Sequence, residues 1–147
     1  MKTYKGFFKP KNPSKYKGDP TNIIYRSRWE LKLMGRLDSD PGVVQWSSEE
    51  IIIPYKSPID GKWHRYFVDF YVKKYNGDVF LVEVKPYSQT KPPEIPQKQT
   101  KRYINEVVTW GTNQAKWKAA KEYCEDRKWQ FIIMTEHELG IKFRYKY

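Results

Sequence analysis

The sequence predicts one α/β (α+β) domain, a mixed central sheet with helices on both faces. Three observations predict it. The chain has 147 residues, a length that suits a single hydrophobic core. Four segments rich in β-branched and aromatic residues read as strands, the first three joined by short turns. Helical periodicity stands before those strands and again between the third and the fourth. Aromatic residues make up 17% of the chain, which supplies apolar surface to offset the entropy of ordering it and argues against disorder.

The elements follow in chain order. Residues 1–20, MKTYKGFFKPKNPSKYKGDP, show no period and combine lysines with proline and glycine. They read as an extended basic arm with Tyr4, Phe7, Phe8 and Tyr16 as anchors. Such an arm either tracks DNA or packs its aromatics on the core. Residues 21–147 form the folded domain. Within it, 22–38 reads as a helix capped by Asn22 or Thr21. Ile23, Ser27, Glu30, Leu33, Met34 and Leu37 recur at helical spacing, so Glu30 shares a face with Met34 and Leu37. A carboxylate on that face is the unusual feature. Residues 38–48 read as a turn and an approach.

Strands are expected at 49–56, 64–73 and 78–85. SPIDGK makes the first turn, and Asn76-Gly77 is a strong hairpin signal for the second. Three strands in a row with short turns predict an antiparallel meander. The four prolines of 86–96 require a loop. Helices are expected at 97–108 and 113–128. The apolar run 129–135 is expected as a strand running parallel in the sheet centre. The alternating IKFRYKY at 141–147 suits a short edge strand. No repeat and no second domain is visible.

The charge narrows the partner. Lys and Arg number 28 against 17 Asp and Glu, a net +11 that points to a polyanion, and aromatics interleaved with the bases favour nucleic acid over a membrane. No apolar run is long enough to span a bilayer. The one cysteine, Cys124, excludes an internal disulfide; it reads as a buried helix residue, and a cytoplasmic location fits.

Strand geometry singles out the candidate chemistry. Side chains alternate along a strand, so Asp69 points with Phe67 and Tyr71, and Glu83 shares a face with Lys85. The hairpin makes these strands neighbours. Two carboxylates converging on one point repel unless a cation lies between them, and oxygen ligands suit Mg²⁺ or Mn²⁺. Lys85 would stand beside that ion, and Glu30 would ligate it directly or through water. His64 and His137 lack partners at metal spacing and read as surface or hydrogen-bonded residues. Arg26 either clamps a phosphate or pairs with Glu30. Arg28, Lys98, Lys101 and Arg102 could extend a basic surface for the duplex. Gln99 and Tyr103 read as one face of the helix expected from 97.

The spacing Asp-x13-Glu-x-Lys, with a helical Glu upstream, resembles the PD-(D/E)XK nucleases. Here it reads Phe67-Val68-Asp69 and Glu83-Val84-Lys85, with Val68 where that family often has proline. RSRWE, FVDF, LVEVKP and WKAAKEYCEDRKWQFIIMTEHEL together resemble the TnsA-type transposon-end endonuclease domain, over about residues 22 to 139. The small size and basic character look closer still to the head-completion nucleases of T-even-like tailed phages. The resemblance implies a restriction-endonuclease-like fold. It also implies a DNA endonuclease that uses Mg²⁺ or Mn²⁺ on double-stranded DNA in head completion, with head or neck proteins as further partners. It assigns metal ligation to Asp69, Glu83, Glu30 and the carbonyl of Val84, and the catalytic lysine to Lys85. Two other readings share the charge: a DNA-binding virion protein with a vestigial site, and an RNA-processing nuclease or ribosome-associated binder.

Overall fold

Backbone pairing builds one four-stranded mixed sheet and two short ribbons in the computed structural model, which describes residues 5–140. The elements are β1 (Gly6–Phe7), β2 (Ile24–Tyr25), α1 (Arg28–Ser39), β3 (Val43–Ser48), β4 (Ile52–Lys56), β5 (Trp63–Phe67), β6 (Phe70–Lys74), β7 (Val79–Val84), α2 (Lys101–Arg127), β8 (Gln130–Met134) and α3 (Glu136–Leu139). The main sheet runs β3-β6-β7-β8, antiparallel except for the parallel β7–β8 pair. Among the described residues β8 is the last strand of that order, not a central one. The edge strand expected at 141–147, and Tyr4, lie outside the described residues.

The first helix starts later than the spacing predicts. Ser27, not Asn22 or Thr21, is its N-cap, and the Ser27 hydroxyl accepts the N–H of Glu30. A side chain that satisfies an otherwise orphaned amide sets the helix start. Thr21 instead closes a local turn on Asp19, donating both its N–H and its hydroxyl to that carboxylate. Residues 24–25 are extended and pair with β1. The basic arm is stitched to the domain. Tyr16 is buried against Trp46 with ring centroids 4.8 Å apart, and its hydroxyl accepts the N–H of Ser48 at 3.1 Å. Phe8 packs on Trp46 as well, while Phe7 stays exposed.

The approach at 38–48 contains a full strand, β3, whose Val43 and Trp46 are buried. The strand expected at 64–73 is two strands, and the meander is therefore broken. β5 pairs with β4 in a separate ribbon, while β6 pairs with β3 and β7. The cause is visible in the packing. Val68 and Phe70 would share a face of a continuous strand. Val68 instead joins Tyr66, Leu81 and Trp117 in one core, and Phe70 joins Met34, Trp46 and Val82 in the other. The chain must switch phase between them, and Asp69 sits at the switch.

The helices expected at 97–108 and 113–128 are one helix, α2, of 27 residues, continuous through Gly111. Glycine inside a helix costs only about 1 kcal/mol. Packing of Trp117, Ala120 and Cys124 against the sheet secures the later half. Thr100 caps its start, so Gln99 precedes the helix that carries Tyr103. Cys124 is buried, as its position predicts, and burial pushes its thiol up to about 11. Among the described residues no helix is long and apolar enough to cross a membrane.

Candidate active site

The phase switch leaves Asp69 outside the ladder, and its carboxylate takes over a ladder bond. It accepts the N–H of Val84 at 2.8 Å, so it is fixed against the end of β7. Its own carbonyl accepts the N–H of Glu49 at 3.1 Å. Glu83 precedes Val84 on β7 and is buried beneath the ribbon, where the Tyr66 hydroxyl donates to its carboxylate. Lys85 follows, with its ammonium 3.7 Å from the other oxygen of Glu83 and its side chain 27% exposed. The backbone of Lys85 still belongs to the sheet, donating to the carbonyl of Met134. Beyond it, Glu136 accepts the N–H of Tyr87 at 2.7 Å and pins the chain leaving the site.

The electrostatics follow from this crowding. Burial raises Asp69 well above the ordinary carboxylate range, the charge of Glu83 raises it further, and Glu30 adds to both; the Val84 N–H and Lys85 oppose them. Glu83 is raised by burial too, against the hydrogen bond from Tyr66 and the charges of Lys85 and Lys116. Glu30 is raised by burial and by Glu49, while hydrogen bonds from the Arg26 backbone and the Ser27 hydroxyl lower it. The three acids and the one lysine singled out by sequence thus share one electrostatic neighbourhood.

Arg26 pairs with Glu49 at 2.7 Å, a partner that neither sequence reading named. Arg28 is exposed on the first turn of α1. Lys98 is exposed before α2 and Lys101 at its start, and Arg102 pairs with Glu106 one turn on. The cations acting on Glu83 are Lys85 and Lys116 instead. His64 pairs with Asp60 at 2.8 Å and His137 stacks on Tyr87 at 5.1 Å, so each histidine has a local partner, as expected.

Three contributors escaped the sequence reading. Tyr66 is buried with its hydroxyl on Glu83, and burial together with that carboxylate raises its pKa. Lys116, on α2, holds its ammonium 5.6 Å from the Tyr66 ring. Glu49 sits at φ +57°, a left-handed conformation uncommon for residues other than glycine. Only Glu49 had a usable signal, as one of the acids that open a strand-like segment. Tyr66 and Lys116 meet the site through the ribbon and α2, contacts that no local spacing encodes.

The donor set fits a hard divalent cation. Its donors are oxygens, and in this partly buried cleft burial raises both carboxylates while the charge of Glu83 raises Asp69 further, which a cation between them would relieve. Among the described residues no three His, Cys, Asp or Glu side chains converge as a cage. An open site of one or two carboxylates is what Mg²⁺ commonly uses, keeping waters and taking substrate phosphate as ligands.

Comparison with known proteins identifies the family. Residues 40–136 match the model of the TnsA-like endonuclease N-terminal domain. The chain is 44% identical to the head completion nuclease of Enterobacteria phage T4, over 95% of this chain and 97% of that protein. The chain belongs to the TnsA-like endonuclease family and is a nuclease.

Proposed function

We propose that this TnsA-like nuclease is a metal-dependent DNA endonuclease acting on double-stranded DNA in phage head completion, with Asp69, Glu83 and Lys85 as its catalytic centre. The observation that carries it is the junction of β5, β6 and β7. There a carboxylate pair, Glu83 buried and Asp69 half-buried, is fixed by a backbone amide and a tyrosine hydroxyl, with a lysine 3.7 Å from one of its oxygens. The role in head completion is carried by the name of the T4 relative.

Asp69 and Glu83 would hold Mg²⁺ or Mn²⁺, with the Val84 carbonyl as a further ligand and Glu30 reaching the ion through water, since among the described residues no third carboxylate converges on the pair. A divalent cation, when bound, supplies positive charge to the scissile phosphate and lowers the pKa of an attacking water. The residues do the positioning. The Val84 N–H fixes one carboxylate and Tyr66 the other, so neither needs to reorganise as charge develops. Lys85 reaches into solvent from a fixed backbone, so its ammonium can donate to a phosphate oxygen and offset the growing negative charge. Ser27 locks Glu30 to its own N-cap, and Glu30 would orient a water in the cleft.

The test is nicking of supercoiled DNA by purified protein with and without Mg²⁺. Asp69→Ala and Lys85→Ala should each abolish cleavage with the fold intact. A variant that cuts as the wild type removes its residue from the centre. Metal-indifferent binding without nicking transfers the reading to a DNA-binding virion protein with a vestigial site.

A further inference from the structure

The β4–β5 ribbon has two unlike faces. Its inner face, with Ile53, Tyr55 and Tyr66, is buried against α2. Residues directly opposite in an antiparallel pair share a face. The register therefore puts Ile52 with Phe67, Pro54 with Arg65 and Lys56 with Trp63 on the outer face. All six are exposed, Trp63 to 71% and Phe67 and Ile52 to 44% each. Apolar rings this open on a water-facing ribbon cost solvation and call for a partner.

Charge and continuity identify it. The outer face carries Lys56 and Arg65 and no acid, and the Arg65 guanidinium lies 5.7 Å from the Phe67 ring. β5 then runs straight into the site, with Phe67 two residues before Asp69. Alternate side chains on a strand stand roughly 6.6 Å apart, so the two rings and the cation between them line a track of roughly 13 Å that ends at Phe67, two residues before Asp69. Aromatic rings interleaved with cations hold single strands, because every base offers a stacking face and every linkage a phosphate.

We infer that the outer face of the β4–β5 ribbon is a single-strand DNA track, with Trp63 and Phe67 stacking on unpaired bases and Lys56 and Arg65 meeting phosphates. The inference rests on the nuclease reading and adds to it a preference for frayed or single-stranded DNA flanking the cut.

The test is fluorescence anisotropy of labelled oligothymidylate and of a blunt duplex with the full chain in EDTA, where cutting is suppressed. Trp63→Ala and Phe67→Ala should each weaken single-strand binding about 10-fold or more, and the duplex much less. Lys56→Ala and Arg65→Ala should each lower the slope of log affinity against log salt by about 0.7. The inner face holds the ribbon, so circular dichroism of the four variants should match the wild type. In the wild type, Trp63 emission should quench on oligothymidylate, and Trp63→Phe should lose that quench. Wild-type affinity in both ring variants overturns the inference, as does an equal loss for single strand and duplex. Ring variants that instead dissolve a dimer, with DNA affinity unchanged, overturn it in favour of a second copy of the chain. Nicking by the wild type together with neutral ring variants sinks the track and leaves the nuclease standing. Ring-dependent binding without nicking does the reverse.

Discussion

Two sets of acids in this molecule are handled in opposite ways. Asp38, near the end of α1, is buried and saturated. Its carboxylate accepts the N–H of Lys11 at 2.8 Å and of Asn12 at 3.1 Å. Its carbonyl accepts the Asn12 side chain and the Lys15 ammonium. Asp69 and Glu83 have fewer donors and face each other. One amide serves Asp69, and one hydroxyl with one lysine serves Glu83. A buried charge with its hydrogen bonds made is an anchor. A carboxylate pair with fewer donors, one of them raised by the charge of the other, suits a cation. Asp38 ties the basic segment to the domain, and the pair at the end of β7 fits the proposed chemistry.

Exchanging the roles of the two regions gives the largest expected effects. Lys85→Ala should lower nicking by at least about 10²-fold, the scale of losing one preorganised transition-state donor, with little change in melting temperature. Asp38→Ala should do the opposite. It leaves two amides without their acceptor and should cost about 3 kcal/mol, or about 6–12 °C in Tm, while the folded fraction still cuts. A differential scan beside a plasmid assay checks both. If Asp38→Ala keeps its Tm, the anchor reading fails.

Asp69→Asn sharpens the contrast through pH. Asparagine keeps an acceptor for the Val84 N–H and removes the charge. The folded-state pKa of Asp69 is raised by burial and by Glu83. Its contribution to stability is therefore present in acid and lost as pH rises through that raised value. In metal-free buffer the variant should melt above the wild type at neutral pH, and the gap should close on acidification. A gap that widens in acid contradicts the sign.

The smallest effect concerns Tyr66. Tyr66→Phe removes the donor to Glu83 without emptying the core, and should weaken Mg²⁺ binding about 10-fold by calorimetry, the loss typical when a partner that orients a ligand is removed. Unchanged affinity would leave Tyr66 a packing residue.

The sequence showed the two regions unequally. Glu83 and Lys85 were legible because two-residue periodicity puts them on one face of a strand that exists as expected. Asp69 was legible in type and not in setting. Its strand breaks at 68–69 because Val68 and Phe70 enter different cores, and local propensity carries no sign of that choice. Glu30 was placed on the right helix although the cap lies at Ser27. The strand β3 was hidden because its buried Trp46 is followed by Ser47 and Ser48, which read as loop. The glycine at 111 suggested two helices where packing of the later half holds one. Asp38 as an anchor was unreadable, since its donors lie in a segment without period.

The central claim is that Asp69 and Glu83 together hold a divalent cation that cleavage requires. One paired measurement tests it most directly: melting temperature and plasmid nicking on the same preparation, titrated with Mg²⁺, Mn²⁺ and Ca²⁺, with Asp69→Asn as control. Mg²⁺ and Mn²⁺ should raise the Tm of the wild type and start nicking. Ca²⁺, with its longer and looser coordination, should raise the Tm with little nicking. The variant should show neither response. A wild-type Tm indifferent to all three ions, or nicking that persists in EDTA or in Asp69→Asn, would contradict the account.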